Sequence, residues 1–159
     1  MIKTYEVAGL RNLSSKARSS ERRRTHLNVH ESLDASVQKL FIATEPDTYM
    51  RPHQHPQEHK WEFFIVLHGR IDLLIFSDNG ALQQRVKLSS EDVQAVEIPP
   101  RVWHSYVCMQ SGTVALEVKQ GAYIPTGEGE FAPWAPQEGA SQVPEYLEWL
   151  RTAQPEGDA

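Results

Sequence analysis

Residues 53–62 read His53-Gln54-His55-Pro56-Gln57-Glu58-His59-Lys60-Trp61-Glu62. Successive side chains of a β-strand point to opposite faces, so His53 and His55, two residues apart, are expected to reach the same point. Glu62 begins an apolar run to residue 67 that has the length of a buried strand, and the intervening loop can bring this strand alongside the histidines. The stretch therefore predicts a β-sheet protein in which two imidazoles and one carboxylate converge.

A second cluster, Pro99-Pro100-Arg101-Val102-Trp103-His104, lies further along the chain. The Pro-Pro pair can end one strand and start the next, and His104 opens another alternating run. His104 would then supply a fourth ligand. Three nitrogens and one hard oxygen suit divalent Fe, Mn, Ni, Co or Zn. The sequence thus predicts one divalent metal ion per chain, and its predicted ligands are His53, His55, Glu62 and His104.

Other side chains near these ligands have simpler interpretations. His59 lies in the loop between the ligands and is expected to be exposed, whereas His68 stands at a strand end, as a turn residue would. Glu58 could replace Glu62 as the carboxylate ligand, but Glu62 has the strand context. Glu62 is therefore the preferred ligand.

The chain resembles the cupin superfamily in both motifs of that family. The first motif is His-x-His, then Glu, then six residues and Gly, and the second is Pro, four residues and His. The matching residues are His53, His55, Glu62, Gly69, Pro99 and His104. The resemblance implies an all-β fold, the cupin double-stranded β-helix or jelly-roll barrel, with a bound metal.

The chain also departs from the general cupin pattern. Six residues separate His55 from Glu62, where the pattern usually has three or four. Residues of other types stand where the pattern has Gly, Gly, Gly and Asn, and they are Asp47, Val93, Arg101 and Cys108. The turns are therefore expected to differ while all four metal-ligand positions remain.

A wider frame over residues 22–139 is similar to the WbuC-type cupin metalloproteins. The matching segments are 28–30, 51–56, 60–62, 103–105, 115–119 and 131–136. That family is associated with bacterial surface-polysaccharide gene clusters, so the resemblance implies a role in surface-polysaccharide or sugar metabolism.

The chain divides into three regions. Residues 1–21 form a predicted helical extension, residues 22–121 the β-barrel, and residues 122–159 a Pro/Gly-rich cover segment followed by a C-terminal helix near Pro144. Short strands are predicted at residues 40–43, 63–67, 71–76, 84–88, 95–98, 104–109 and 114–118. The tail from Gln154 to Ala159 is expected to be disordered. The fold class is therefore all-β with short N- and C-terminal helices.

Composition excludes several classes of partner. No apolar run approaches the ~20 residues needed to span a bilayer, so no membrane association is expected. The net charge of −5 gives no reason to expect nucleic acid, since proteins that bind it usually carry a basic surplus. The first residues contain no apolar signal core, which predicts a cytoplasmic protein. A single cysteine excludes an internal disulfide.

Along residues 22–30 every even position is polar, and Thr25, Leu27 and Val29 alternate with these polar residues, so one face of a strand would be polar and cationic and the other apolar. If the polar face looks into the barrel mouth, it could bind a carboxylate, a phosphate or sugar hydroxyls. Residues in phase with the metal ligands are expected in the same cavity. The predicted substrate-binding residues are Arg24, His26, Asn28, His30, Tyr49, Arg51 and Tyr106. The alternative for the strand is a solvated edge whose charges prevent edge-to-edge pairing.

The favoured function is a metal-dependent enzyme acting on a small carbohydrate-like or anionic substrate. An isomerase or epimerase needs a base beside the metal, for which His26, His30 and Tyr106 are candidates by position, whereas a dioxygenase needs a redox metal with two open sites. The catalytic residues therefore stay open. The alternatives are a non-catalytic sugar- or anion-binding sensor and a purely structural metal.

Two further features bear on partners. Exposed sheet edges and an amphipathic C-terminal helix need covering, so a homodimer is expected. Trp61, Trp103 and Trp134 adjoin or follow the ligand segments. They either pack the ends of the barrel or form a stacking wall for a sugar ring.

Overall fold

The computed structural model describes residues 1–155, so residues 156–159 of the predicted tail lie outside the described residues. The elements in chain order are α1 Val7–Ser19, β1 Arg24–Asn28, β2 Val37–Thr44, β3 Glu62–His68, β4 Arg70–Phe76, β5 Leu82–Ser89, β6 Ala95–Ile98, β7 Trp103–Cys108, β8 Thr113–Gln120, a 3-10 turn Glu128–Glu130, and α2 Val143–Thr152. No helix within residues 1–155 is long and apolar enough to cross a membrane.

The strands form two antiparallel sheets. One has the order β1-β2-β8-β3-β6 and the other the order β5-β4-β7. The neighbours β2 and β8 are distant in sequence, as are β4 and β7, which gives the crossed connections of a jelly roll. The predicted all-β fold with a short helix near each end of the chain is confirmed. Within the described residues the two sheets stay separate rather than closing into one barrel.

Strand alternation builds the core between the sheets. In β3 every second residue from Glu62 to Val66 is buried. The core cluster draws residues from both sheets, namely Phe64, Val66, Ile71, Leu73, Leu88, Ile98, Tyr106 and Ala115. Each large apolar side chain buried here contributes roughly 1.5–3 kcal/mol. Polar residues, among them Glu62, His104 and Glu117, line the remaining part of the space between the sheets.

Each helix covers the outer face of one sheet. Leu13 and Ala17 of α1 pack on Phe41 and Val114 of the five-stranded sheet. Leu147 and Leu150 of α2 belong to a cluster with the outward residues of the three-stranded sheet, Leu74, Phe76 and Val107. Strand β7 is consequently buried on both faces, from His104 to Cys108. The helices thus shield both sheets, while the cavity described below opens between them.

Two turns with positive φ can be compared with the cupin pattern: one keeps the glycine of the pattern, and the other replaces it. Gly69 has φ +81°, and a Cβ there would overlap Thr113, so a larger residue is excluded. Arg101 stands where the pattern has glycine and nevertheless has φ +63°. An L-residue in this region costs roughly 1–2 kcal/mol. The amide of Arg101 donates to His55 O at 2.8 Å, which ties this turn to the His-x-His segment.

The His-x-His segment differs from the regular strand that the sequence predicts. His53 makes only isolated bridges, to His104 and to Phe131. Its amide donates to His104 O at 3.0 Å, and the amide of His104 donates to His53 O at 2.9 Å. This short reciprocal pairing is enough to place the imidazoles of the two motifs side by side.

Candidate metal centre and cavity

The four predicted ligands converge. One donor atom from each of His53, His55, Glu62 and His104 lies within 4.8 Å of the others. Glu62 is the first residue of β3, His104 lies near the start of β7, and the two other histidines come from the segment bridged to β7. Glu62 and His104 are 6% and 4% exposed, so the group is formed inside the protein.

Hydrogen bonds fix two of the rings in the orientation that a metal requires. Nδ1 of His53 lies 3.0 Å from Arg51 O, and Nδ1 of His104 lies 2.9 Å from Val102 O. A carbonyl oxygen can only accept, so both Nδ1 atoms carry the proton. The Nε2 atom of each ring is therefore directed away from the backbone and can bind a metal, as in most metal-ligating histidines.

His55 is held differently. Its Nε2 lies 2.9 Å from Glu62 Oε1, and its buried Nδ1 has no hydrogen-bond partner among the described residues. Glu130 Oε1 of the 3-10 turn lies 3.7 Å from that Nδ1. If Nε2 binds a metal, the proton of the neutral ring moves to Nδ1, and Glu130 is the carboxylate placed to accept it.

Burial and mutual charge set the protonation of the metal-free site. Burial and the neighbouring His104 lower the pKa of His53 to about 3, so this imidazole is neutral. Burial alone would raise the pKa of Glu62, but hydrogen bonds from His104 and His55 hold it well below its usual value. Burial would lower the pKa of His104, yet the hydrogen bond and charge of Glu62 raise it.

This group fits a divalent metal. Three imidazoles and a carboxylate that are packed together away from water would be costly without a partner. Their donor atoms match the preferences of Fe, Mn, Co, Ni and Zn. The other donors considered from the sequence, Glu58, His59 and His68, are exposed and lie outside the group. The site is consistent with one metal per chain.

The four ligands line a cavity of about 330 Å³ between the sheets. Apolar walls come from Leu40, Ile42, Met50, Phe64, Leu73, Ile98 and Phe131. The polar and charged lining, apart from the ligands, comprises Arg22, Arg24, Thr25, His26, Arg51, Tyr106, Glu117, Lys119, Tyr123, Thr126 and Glu138. A few directed polar groups in an apolar cleft are typical of small-molecule sites.

Four of the seven predicted substrate-binding residues line this cavity: Arg24, His26, Arg51 and Tyr106. Arg24 is anchored, because Nη1 donates to Thr48 Oγ1 and to Tyr49 O, both at 3.0 Å. The hydroxyl of Tyr106 is buried and has no hydrogen-bond partner among the described residues. Burial raises its pKa to about 12, so it remains a donor.

The other three predicted residues are not brought to the cavity. The ring of Tyr49 packs in the cluster beneath α2, and its hydroxyl donates to Pro136 O at 2.8 Å. Asn28 is exposed at the end of β1, and His30 contacts the backbone of Lys39 in the connection to β2. Tyr49 shares the phase of His53, but the segment that carries it forms no regular strand, so its side chain does not follow that phase.

The tryptophans pack away from the cavity. Trp103 and Trp134 lie against the cluster beneath α2, and both indole N–H groups donate to Asp78. Trp61 donates to the side chain of Gln120 at 2.7 Å. Of the segment expected to cover the mouth, Phe131 lines the cavity and Trp134 does not.

A partly buried ion pair beside the metal ligands was not predicted from the sequence. Lys119 Nζ lies 3.3 Å from Glu117 Oε1 and 3.9 Å from Glu62 Oε1. Burial and the charge of Glu62 raise the pKa of Glu117 to about 7. Burial would lower the pKa of Lys119, but the two carboxylates raise it. Their spacing of two on β8 was the available signal, because it puts both side chains on one face.

Comparison with known proteins places the chain in a family. Residues 6–88, just over half of the chain, match the family described as "Domain of unknown function (DUF6016)". The chain belongs to the DUF6016 family. The matched segment contains three of the four ligands, and His104 lies beyond it. No curated protein matches this DUF6016 chain.

Solved structures identify the fold of this DUF6016 protein as that of the cupins. KdgF from Halomonas sp. is 15% identical, with a TM-score of 0.51 over 66% of this chain and 85% of KdgF. An oxalate oxidase in complex with the substrate analogue glycolate is 16% identical, with a TM-score of 0.51 over 68% of this chain and 55% of the oxidase. The SPY1581 protein of Streptococcus pyogenes is 11% identical, with a TM-score of 0.53 over 77% of this chain and 93% of SPY1581.

Metal affinity is expected to depend on pH. The metal must replace the proton on His104 Nε2, and the pKa of that ring is raised above its usual 6.5 in the metal-free protein. Affinity should therefore be highest above this pKa and fall about tenfold per pH unit as the pH drops below it. Titration of Co(II) between pH 5 and pH 8, followed by its visible spectrum, measures the slope. A flat profile would contradict the assignment of His104 as a ligand.

Proposed function

We propose that this protein is a metal-dependent enzyme that acts on a small anionic or carbohydrate-like molecule. The observation that carries the proposal is that all four metal-ligating residues line the same cavity as the anchored guanidinium of Arg24. A purely structural metal needs no such cavity. A bound divalent ion would polarise a ligand oxygen or lower the pKa of a bound water.

The residues of the cavity would bind and orient the ligand. Arg24 offers a planar fork for a carboxylate or phosphate, and Arg51 adds a second guanidinium that stacks on the ring of Phe131 at 4.9 Å. The phenol of Tyr106 can donate to a ligand oxygen, because it is protonated and otherwise unpaired within the described residues. His26 lies at the cavity mouth and is the remaining histidine placed to exchange a proton with a ligand.

The family resemblance supports a finer assignment. We propose that the chain is a WbuC-type cupin with a role in surface-polysaccharide or sugar metabolism in the cytoplasm. Isomerisation or epimerisation and dioxygenation are both compatible with three nitrogens and one oxygen around the metal. The runner-up function is a non-catalytic sugar- or anion-binding sensor, which would use the same cavity without turnover.

Replacing Arg24 with alanine tests the ligand class. Loss of a charge-assisted hydrogen bond should weaken binding of phosphate or glycolate by ~1.5–3 kcal/mol. Metal content should stay unchanged, because Arg24 is not among the ligands. Isothermal titration of Co(II)-loaded protein measures the affinity. The matched control is Arg23→Ala, since this neighbouring arginine pairs with Asp47 outside the cavity and should leave anion affinity unaltered.

Two results would contradict the proposal. Loss of metal from Arg24→Ala would mean that the arginine supports the metal site rather than a ligand. Anions that leave the Co(II) spectrum unchanged would mean that the metal is not accessible from the cavity. Incubation with sugar nucleotides and sugar acids, followed by mass spectrometry, separates an enzyme from a sensor, because a sensor forms no metal-dependent product.

We also propose that the chain forms a homodimer. Strand β1 is an edge of the five-stranded sheet, and Leu27, Leu33 and Val37 near that edge are exposed. Exposed edge strands with apolar side chains are usually covered. Light scattering at high micromolar concentration should give twice the chain mass of 18.1 kDa. A monomer under these conditions would refute the proposal.

A further inference from the structure

The two arginines at the cavity mouth, Arg22 and Arg24, are hydrogen-bonded to a carboxylate of the protein itself, that of Glu138. Glu138 accepts hydrogen bonds from Arg22 Nε at 2.7 Å and from Arg22 Nη2 at 2.8 Å, one to each oxygen. Nη2 of Arg24 lies 3.4 and 3.3 Å from the same two oxygens. This two-pronged geometry is the one in which arginine recognises the carboxylate or phosphate of a ligand.

Arg24 keeps its position without Glu138. Its Nη1 donates to Thr48 Oγ1 and Tyr49 O, and its side chain is 11% exposed. Thr48 in turn donates to the carbonyl of Arg22 at 2.7 Å, which ties down the backbone that carries both arginines. Glu138 is therefore not needed as a support for the guanidinium that faces the cavity.

Glu138 itself is less constrained. It lies in the cover segment, residues 122–139, which contains no strand and only one 3-10 turn. Its side chain is 42% exposed. The hydrogen bond from Arg22 lowers the pKa of Glu138, so the group is anionic at neutral pH. The carboxylate thus has both the charge of an anionic ligand and room to leave.

We propose that Arg22 and Arg24 form an anion-binding site at the cavity mouth, and that Glu138 fills it until a carboxylate or phosphate displaces it. The inference rests on the proposed function, in which the cavity takes an anionic ligand. Glu138 then acts as an intramolecular competitor. A ligand that held both arginines and also reached a metal in the same cavity would gain binding energy with which to displace Glu138.

The Glu138→Gln variant tests the competition. Its neutral amide should bind the arginines less well, so the affinity of the metal-loaded protein for inorganic phosphate should rise about tenfold. Glucuronate serves as the carboxylate probe and should show the same direction of change. The control is Glu145→Gln on the exposed side of α2, which alters the net charge equally and should leave affinity unchanged. The double variant Glu138→Gln/Arg24→Ala should lose the gain.

The outcomes separate this inference from the proposed function. Affinity that is unchanged or lower in Glu138→Gln would overturn the inference, because Glu138 would then be a clamp that orders the site. Tighter phosphate binding that leaves the Co(II) spectrum unchanged would uphold the anion site but overturn its link to the metal. Absence of phosphate and glucuronate binding in every variant, with metal retained, would overturn both. Melting curves of each variant establish that it is folded.

Discussion

Replacing His104 with alanine should lower the affinity of the protein for Co(II) or Zn(II) by at least ~100-fold, since even residues that only orient a ligand contribute 10–100-fold. His53→Ala should have a similar effect. In both rings Nδ1 donates a hydrogen bond to a backbone carbonyl, which fixes the ring so that Nε2 faces the ligand group. Elemental analysis after dialysis against a weak chelator measures retention.

The chain provides matched histidine controls. His59 and His68 are exposed and lie outside the ligand group, so alanine at either position should leave metal content unchanged. Circular dichroism establishes that the His104→Ala protein is folded, which matters because this ring is buried. Equal metal content in wild type and both ligand variants would show that the ion is bound elsewhere.

The second large effect concerns stability rather than the metal. Arg85 and Asp72 form an ion pair of 2.9 Å whose side chains are only 3% and 2% exposed. Arg85 also donates to Leu150 O at 2.6 Å and to Ala153 O at 2.7 Å, at the C-terminal end of α2. Arg85→Met would leave these carbonyls without their donor, and Asp72 would keep only the pairing with Arg70 Nε at 3.2 Å. The free energy of unfolding should fall by about 2–4 kcal/mol, because the buried carboxylate loses its closer partner and the end of α2 loses its contacts.

Urea unfolding followed by circular dichroism measures this loss. Lys87→Met on the same strand β5 is the control, because it removes the same charge from an exposed position and should change stability by less than about 0.5 kcal/mol. Similar unfolding midpoints for the two variants would mean that the pair and the helix contacts of Arg85 contribute nothing net. Metal affinity should be normal in the folded fraction of both proteins, since the pair lies outside the ligand group.

Much of this architecture follows from the sequence. Alternation and turn residues located the strands, because a strand with one buried face repeats every two residues. The spacing of His53, His55, Glu62 and His104 predicted a group that the structure brings within 4.8 Å. Local periodicity and the resemblance in two motifs were sufficient to predict these four residues. The reason is that they lie at or next to the ends of strands, and the turns fix the positions of those ends.

The charged pair on β8 was not predicted because alternation does not tell which face of a strand is inward. Along β8, Glu117 and Lys119 alternate with the apolar residues Leu116 and Val118. In the structure α1 covers the outer face of the sheet at Leu116, while the charged pair faces the cavity. A helix that shields a sheet from outside cannot be placed by the alternation of one strand.

Glu130 and Glu138 were missed for a different reason. Both come from the cover segment, which reaches the site from a part of the chain without periodicity. Contacts such as Glu138 with Arg22 join residues more than a hundred positions apart, and no local pattern encodes them. Tyr49 was predicted to line the cavity because it shares the phase of His53. Its side chain instead packs in the cluster beneath α2, because the chain between β2 and β3 forms no regular strand.

The most direct test of the central claim, one divalent metal held by three imidazoles and one carboxylate, is the position of a metal in a crystal of the Co(II)-loaded protein. Anomalous scattering at the cobalt edge should give one peak per chain, in contact with Nε2 of His53, His55 and His104 and with a carboxylate oxygen of Glu62. A peak at other residues, or no peak in protein shown to be folded and exposed to excess Co(II), would contradict it.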